Sequence, residues 1–594
     1  MEKLMGGSVK RIFDLLPFYE ESFRPKDDVL AGKLDGKWVK YSLAEYRNMA
    51  DNISHGLLKL GLVKGDRVAT ISANCPEWNF VDMGILQAGA VHVPVYPTIS
   101  EADYRYILQH SEVKYVFVGS PELMRKIQHV FDGISTMQGI YTFKASPGAP
   151  HFSELIQLGK QQENRQNLEA IKSSIKPHDL ATLIYTSGTT GSPKGVMLSH
   201  DNLLSNVDAV KHIFPVDETC RALSYLPLCH VYERMNIYTY HYLGVSVYYA
   251  ESMGTIADNI REISPEILTT VPRLLEKVYD KIVAKGLRLK GIKRQLFFWA
   301  LHLGQAYEAG ARQGWWYNLN LYIANKLIFS KWREALGGKM RVMVSGGAAL
   351  QPRLCRVFTA AKIPVLEGYG LTETSPVISV NTLEKGGMKA GSVGKVLGNV
   401  SVRIDENGEI LVKGPNVMLG YFKDDPLTHQ AIDSEGWFHT GDIGVLEVSG
   451  HLIITGRIKE IFKTSMGKYI SPALIENKFK ESPFIDGIMV IGENQKFAAA
   501  LIVPNFEHLR SWCRIKEIDY TNDAEMISSK LIINRMRKEV EYYNKYFGDF
   551  EQIKKFELTD HEWNVNTGEL TANLKLKRAN ILEKYTDKIN KIYQ

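Results

Sequence analysis

The residues best equipped for chemistry lie in one stretch, Tyr185-Thr186-Ser187-Gly188-Thr189-Thr190-Gly191-Ser192-Pro193-Lys194-Gly195. Glycines let backbone N–H groups turn inward and approach an anion closely. Thr186, Ser187, Thr189 and Thr190 add hydroxyl donors, and Lys194 adds a point charge. Such a loop suits a polyphosphate. The ordering Ser-Gly-Thr-Thr-Gly-x-Pro-Lys-Gly is too particular for a flexible linker. It is not a Walker A loop, because Pro precedes the lysine and Gly follows it, and no helix opens there. The apolar runs Ala181 to Ile184 and Val196 to Leu198 predict strand, loop, strand: a tight hairpin at a sheet edge.

Further groups recur downstream. Tyr225-Leu226-Pro227-Leu228-Cys229-His230-Val231-Tyr232-Glu233-Arg234 sets a histidine beyond a strand end marked by Pro227. Ser345-Gly346-Gly347-Ala348-Ala349 and Glu367-Gly368-Tyr369-Gly370-Leu371-Thr372-Glu373-Thr374 read as two glycine turns after the strands Arg341 to Val344 and Ile363 to Leu366. Such turns are where ligands bind in open α/β sheets. Gly441-Asp442 reads as an ordinary turn. Thr455-Gly456-Arg457-Ile458-Lys459-Glu460, Ser465-Met466-Gly467-Lys468 and Gly568-Glu569-Leu570-Thr571-Ala572-Asn573-Leu574-Lys575-Leu576-Lys577 complete the series.

Taken in this order, the motifs resemble those of the AMP-forming, adenylate-forming enzymes, and most of all the long-chain fatty-acyl-CoA synthetases. The resemblance covers nearly the whole chain. It implies ATP-dependent activation of a fatty acid to acyl-AMP and pyrophosphate, then transfer to coenzyme A. It makes Tyr185, Thr186, Ser187, Gly188, Thr189, Thr190, Gly191 and Lys194 the phosphate grip. Gly347, Ala348, Glu367, Gly368, Tyr369 and Gly370 would surround adenine, with the Tyr369 ring stacked on it. Thr372 would bond the α-phosphate, Thr186 and Glu373 would hold Mg²⁺, Asp442 would accept both ribose hydroxyls, and Arg457 would touch the nucleotide. His230 would approach the phosphates and the acyl carboxylate. Tyr232, Gly346 and Gly370 would border the acyl channel, and Ser465 and Gly467 would meet CoA. Lys459 occupies the hinge position, and Lys575 matches the catalytic lysine, with Lys577 its rival by register. Met466 and Ala572 depart from the commoner glycine and proline. An acyl-AMP ligase serving a carrier protein, a non-catalytic acyl or nucleotide binder and a luciferase-type oxygenase stay open as alternatives.

These groups need a scaffold. A chain of 594 residues supports more than one domain. Ser42-Leu43-Ala44-Glu45 is a capping box ahead of apolar residues at helical spacing. Strands at Val68 to Ile71, Val91 to Val95 and Tyr115 to Val118 alternate with helices from about Trp78 and from Ser100. The expected fold class is therefore α/β, with doubly wound subdomains and a β-barrel-like subdomain in a large domain over 1–457. The β-rich part covers about 377–443. A small mobile α+β domain, 458–594, completes the chain.

The net charge of +6 suits anionic ligands or an anionic membrane surface and is too small to argue for nucleic acid. Five scattered cysteines read as free thiols with no zinc site. No signal-peptide pattern and no apolar run of about 20 residues is visible, which points to the cytoplasm with at most peripheral membrane contact. One segment, 281–335, is a basic and aromatic helical insert: Lys281, Lys285, Arg288, Lys290, Lys293 and Arg294 precede Phe297, Phe298, Trp299, Trp315, Trp316 and Tyr317. It reads either as an interfacial membrane helix or as a solvated basic face over an ordinary aromatic core.

Overall fold

A computed structural model describes residues 9–161, 166–186, 193–565, 567–571 and 575–594. Two mixed sheets form the large domain. The first has seven strands in the order 420–421, 194–199, 180–186, 91–95, 67–71, 113–118 and 139–142. Its strands from 91–95 to 139–142 pair in parallel, and its antiparallel edge carries the expected hairpin, with Thr186 opposite Lys194. The second has nine strands. Its parallel centre runs 365–370, 342–345, 267–270, 221–224, 246–249 and 30–34.

The chain goes from strand 221–224 to its neighbour 246–249 and then crosses to the other side, to 267–270. That reversal is a topological switch point, and it opens a crevice at the carboxyl ends of the central strands. The His230 segment and the Gly346–Gly347 turn both lie at those ends.

Local signals explain the helices. Ser42 caps Leu43–Lys59, with Glu45 reaching back to the Ser42 amide. Ser100 caps Glu101–His110. The helix expected from about Trp78 starts two residues earlier, because Pro76 takes the first helical position, where its missing N–H costs nothing.

Two expectations are corrected. Glu367 to Gly370 is not a turn. The strand Val365–Gly370 continues through it and pairs antiparallel with Val377–Val380. A Cβ on Gly370 would meet the Pro376 carbonyl oxygen at 1.7 Å, so the glycine admits a close backbone neighbour. Asp442 also sits on a strand, Phe438–Leu446, beside Gly441 at φ 71 where the ladder register shifts. The β-rich unit is a four-stranded antiparallel sheet of 401–404, 409–413, 438–446 and 452–457, while the strand at 377–380 belongs to the nine-stranded sheet.

Beyond residue 461 a separate apolar core forms around Ile475, Phe479, Ile488, Leu501, Leu509 and Ile532, so this part buries its own surface. Its three-stranded sheet orders as 485–491, 499–504, 555–558.

Candidate active site

His230 is the N-cap of helix Val231–Leu243, and its Nδ1 accepts the Tyr232 amide at 3.2 Å. With Nδ1 used as acceptor, the neutral ring keeps its proton on Nε2 as a donor. Burial, and then the charge of Lys575, lower its pKa to about 4, so the ring is neutral at pH 7. Tyr232 follows, its hydroxyl donating to the Val344 carbonyl at 3.1 Å; a Cβ on Gly346 would lie 3.1 Å from the Tyr232 ring. Gly346 thus leaves room beside an aromatic wall.

The helix is anchored from below. Arg234 is fully buried, with its guanidinium on Asp82, Tyr238 and the Thr182 hydroxyl, and Asp82 also bonds His92. Burial works against the Asp82 charge, but Arg234 and His92 more than offset it and hold that pKa at about 2. Neighbouring Glu233 is also buried, and burial raises its carboxyl to about 8. The sequence shows the Glu-Arg pair but not this role, because Asp82 lies 152 residues away.

Glu373 heads the second cluster, on a 3₁₀ turn Thr372–Thr374 packed against strand Lys194–Ser199. It accepts a hydrogen bond from the Tyr421 hydroxyl at 3.0 Å, and Lys194 stands 5.6 Å from the Tyr421 ring centroid. Burial raises the Glu373 pKa, with Arg457 and Lys194 acting in the opposite sense. Glu367 accepts the Leu350 amide at 2.8 Å, which ties the two glycine segments together, and burial pushes its carboxyl to about 8.

The third cluster centres on Asp442, which is buried. It accepts from the Tyr369 hydroxyl at 2.7 Å and pairs with Arg457 Nε at 2.7 Å. Burial opposes the Arg457 charge, but Asp442 and Glu460 raise its pKa overall. Lys575 enters here from the small domain. Desolvation lowers its pKa, as does Arg457, while Asp442, Glu460 and Glu373 act the other way. The lysine keeps solvent access along the cleft, yet the protein around it is dense enough to disfavour its charge. Lys577 instead precedes helix Arg578–Lys584 at the surface. Lys575 is thus the lysine that this structure brings to His230, Glu373, Asp442 and Arg457.

Of the other expected residues, Tyr185 stands elsewhere. Alternation along strand Leu180–Thr186 turns the Tyr185 side chain away from the loop and into the core, where its hydroxyl meets His110 Nδ1 at 2.8 Å. Ser465 and Gly467 form an exposed hairpin turn on the small domain, Gly467 at φ 81. Gly347 and Ala348 are exposed at the crevice. Lys459 lies in the turn that leads from strand Leu452–Arg457 to the small domain. Ser187, Gly188, Thr189, Thr190 and Gly191 lie outside the described residues. Tyr421 is a site group that the sequence reading missed, since it reaches the cleft from a segment without a chemical signature, and Glu460, although inside the Arg457-Ile458-Lys459-Glu460 motif, is given no role there.

A family model described as AMP-binding enzyme matches residues 20–422, and one described as AMP-binding enzyme C-terminal domain matches residues 459–594. The chain is 32% identical over 569 residues to the long-chain-fatty-acid–CoA ligase FadD15 of Mycobacterium bovis, covering 94% of this chain and 93% of that one. It is 32% identical over 603 residues to the long-chain-fatty-acid–CoA ligase ACSBG2 of Xenopus laevis, covering 95% and 81%. The crystal structure of the anthranilate CoA ligase AuaEII in complex with anthranoyl-AMP superposes with a TM-score of 0.72 at 17% identity, over 98% of each chain.

Proposed function

The chain belongs to the AMP-binding enzyme family, and from that premise we propose that it is a long-chain-fatty-acid–CoA ligase working through an acyl-adenylate. The observation that carries the reading is the position of Lys575, delivered by the small domain into the cluster of Arg457, Asp442 and Glu373. Two cations crowd one cleft, and an anionic phosphate between them would relieve their repulsion.

In the first half-reaction a carboxylate oxygen of the fatty acid attacks the α-phosphorus of ATP. The new O–P bond forms as the bond to the β-phosphate oxygen breaks, and pyrophosphate leaves. No protein nucleophile is required. The chain supplies position and charge: Lys575, Arg457 and Lys194 face the phosphates, His230 offers its Nε2 proton, Asp442 and Tyr369 await the ribose and adenine, and Tyr232 with Gly346 borders the acyl chain. The loop residues Ser187 to Gly191 complete the phosphate grip in this reading.

Glu373 and Thr186 fit Mg²⁺. A buried carboxylate with a raised pKa gains from a cation, and Mg²⁺ takes one or two carboxylates plus phosphate oxygens. Among the described residues no group of three or more His, Cys, Asp or Glu could hold a metal alone, which suits an ion shared with the substrate. When bound, the ion neutralises charge on the phosphate oxygens.

In the second half-reaction the CoA sulfur attacks the acyl carbonyl carbon, the thiol proton passes to solvent, and the C–O bond breaks with its electron pair leaving on the phosphate of AMP. In the present arrangement Lys575 lies in the cleft in which the acyl-AMP would form. A rotation of the small domain about Lys459 would withdraw it and present another face, with the Ser465–Gly467 turn as the candidate CoA contact. AMP release measured with CoA across carboxylic acids of increasing length tests the reading. It requires CoA-dependent turnover that rises towards long chains. Pyrophosphate release with no gain from CoA would point to a carrier-protein ligase instead.

A further inference from the structure

The segment that carries His230 is a loop, so its backbone is held by something other than a sheet ladder. Residues 225–230 leave strand 221–224 and form no strand before helix Val231–Leu243 begins. Leu226 and Leu228 are nonetheless buried, at 8% and 1% exposure, and a buried backbone amide or carbonyl needs a partner. One side chain supplies two. Asn74 Nδ2 donates to the Leu226 carbonyl at 2.6 Å, and Asn74 Oδ1 accepts the Leu228 amide at 3.0 Å. A carbonyl and an amide two residues apart are the pair that a strand offers its neighbour. Asn74 meets them as a neighbouring strand would, with one planar amide in the place of a peptide.

A third bond fixes which way that amide faces. Nδ2 also donates to the Ser224 hydroxyl at 3.2 Å, and that hydroxyl donates in turn to Glu233. Turning the amide over would set two oxygens 2.6 Å apart at Leu226. Aspartate has the same reach and the acceptor for Leu228, but no proton for the Leu226 carbonyl.

The clamp also joins the two sheets. Asn74 follows strand 67–71 of the seven-stranded sheet, whereas the residues it holds end or follow strand 221–224 of the nine-stranded sheet. Helix Pro76–Gln87 begins just beyond Asn74 and carries Asp82, the partner of Arg234 one turn past His230. One element therefore grips the histidine from both sides, Asn74 holding the chain before it and Asp82 the helix after it. The His230 amide donates to the Pro227 carbonyl at 2.9 Å, in the middle of the clamped stretch, so a shift at 226–228 passes directly to the histidine.

We propose that Asn74 is a positioning residue for adenylation: it acts through His230, by fixing the loop that presents the imidazole, and touches no substrate. The consequence for chemistry rests on the acyl-adenylate reading; the clamp rests on geometry alone. Asn74 is only half-buried, so its replacement removes hydrogen bonds without opening a core cavity.

Asn74→Ala and Asn74→Asp in the whole chain test it with two readouts. In fatty-acid-dependent pyrophosphate exchange the maximal rate should fall roughly 10- to 100-fold in both, with the KM for ATP within about threefold, because a misplacement of about 1 Å is enough for such a loss. Aspartate should do no better than alanine. In a His230→Ala background either substitution should cost less than about threefold, since the group that it misplaces is already gone. The second readout needs no reaction. The His230 imidazole resonance titrates near pH 4 when the loop is held, and in Asn74→Ala it should move towards the ordinary 6.5 as the loosened loop admits water. If the wild type shows no exchange with any carboxylic acid, the functional reading fails while the titration still judges the clamp. Circular dichroism reports whether each variant is folded; if one is not, the other decides. Exchange within about threefold of wild type in either folded variant, an equal loss with and without His230, or an unmoved His230 titration would overturn the proposal.

Discussion

At the scale of single residues, the site is a set of side chains held away from their ordinary protonation states by burial. His230 is the clearest case. Its folded pKa of about 4 lies below the ordinary histidine value of 6.5, so between those values the unfolded chain binds a proton that the native ring refuses. That site withdraws stability as pH falls from 6.5 and is silent above it. The His230 imidazole resonance, assigned by its loss in His230→Gln, should titrate near pH 4 and should move upward in Lys575→Ala, which removes one of its two causes. A wild-type value near 6.5 would mean that His230 is neither buried nor near Lys575. Glu373 makes the complementary case. Glu373→Gln removes the anionic oxygen, and the Mg²⁺ concentration for half-maximal adenylation should rise roughly 10- to 100-fold; an unchanged titration would place the ion elsewhere. Lys575 and Lys577 show what a sequence leaves open at this scale. Two lysines two positions apart read alike in the sequence, and only the packing of Leu576 against the small-domain core and the reach of Lys575 into the cleft separate them. Tyr185 errs the other way: its position in the loop motif hid the strand alternation that turns its ring inward.

At the scale of elements, polar contacts tie the two domains together. Arg273, at the start of helix Pro272–Leu287, donates to both carboxylate oxygens of Asp486 on strand Ile485–Ile491, at 2.7 and 2.6 Å. Gln351 adds a bond to the Lys480 carbonyl. Both ties join the large domain to the small one while Lys575 is in the cleft. Arg273→Ala should lower fatty-acid-dependent pyrophosphate exchange roughly fivefold, for a partly exposed pair worth about 1 kcal/mol. Thioester formation from supplied acyl-AMP should not fall with it, and Arg273→Asp with Asp486→Arg should recover exchange. A fall shared by both half-reactions would make the pair a general stabiliser. Partners 213 residues apart could not be found in the sequence. What could be found was local: the Ser42–Glu45 capping box, the hairpin around the hydroxyl-rich loop, the alternation of strands and helices. The glycines at 368 and 370 misled because a turn and a close-packed strand demand the same residue.

At the scale of the whole molecule, a large and a small domain with separate apolar cores, joined through a short turn at Lys459, allow one lysine to be delivered and withdrawn. Lys459→Pro fixes φ near −65° and restricts the preceding residue. It should therefore hold one arrangement, leaving pyrophosphate exchange substantial while CoA-dependent turnover falls far more; equal losses in a folded variant would place the pivot elsewhere. The most direct measurement separates the two half-reactions in Lys575→Ala. Removing one positioned charge donor from the developing phosphate charge should cost on the order of 10²- to 10³-fold in fatty-acid-dependent pyrophosphate exchange, while thioester formation from supplied acyl-AMP and CoA stays within a few-fold of wild type. Exchange that survives the substitution, or a loss shared equally by both half-reactions, would contradict the delivery of Lys575 as the basis of acyl-adenylate formation.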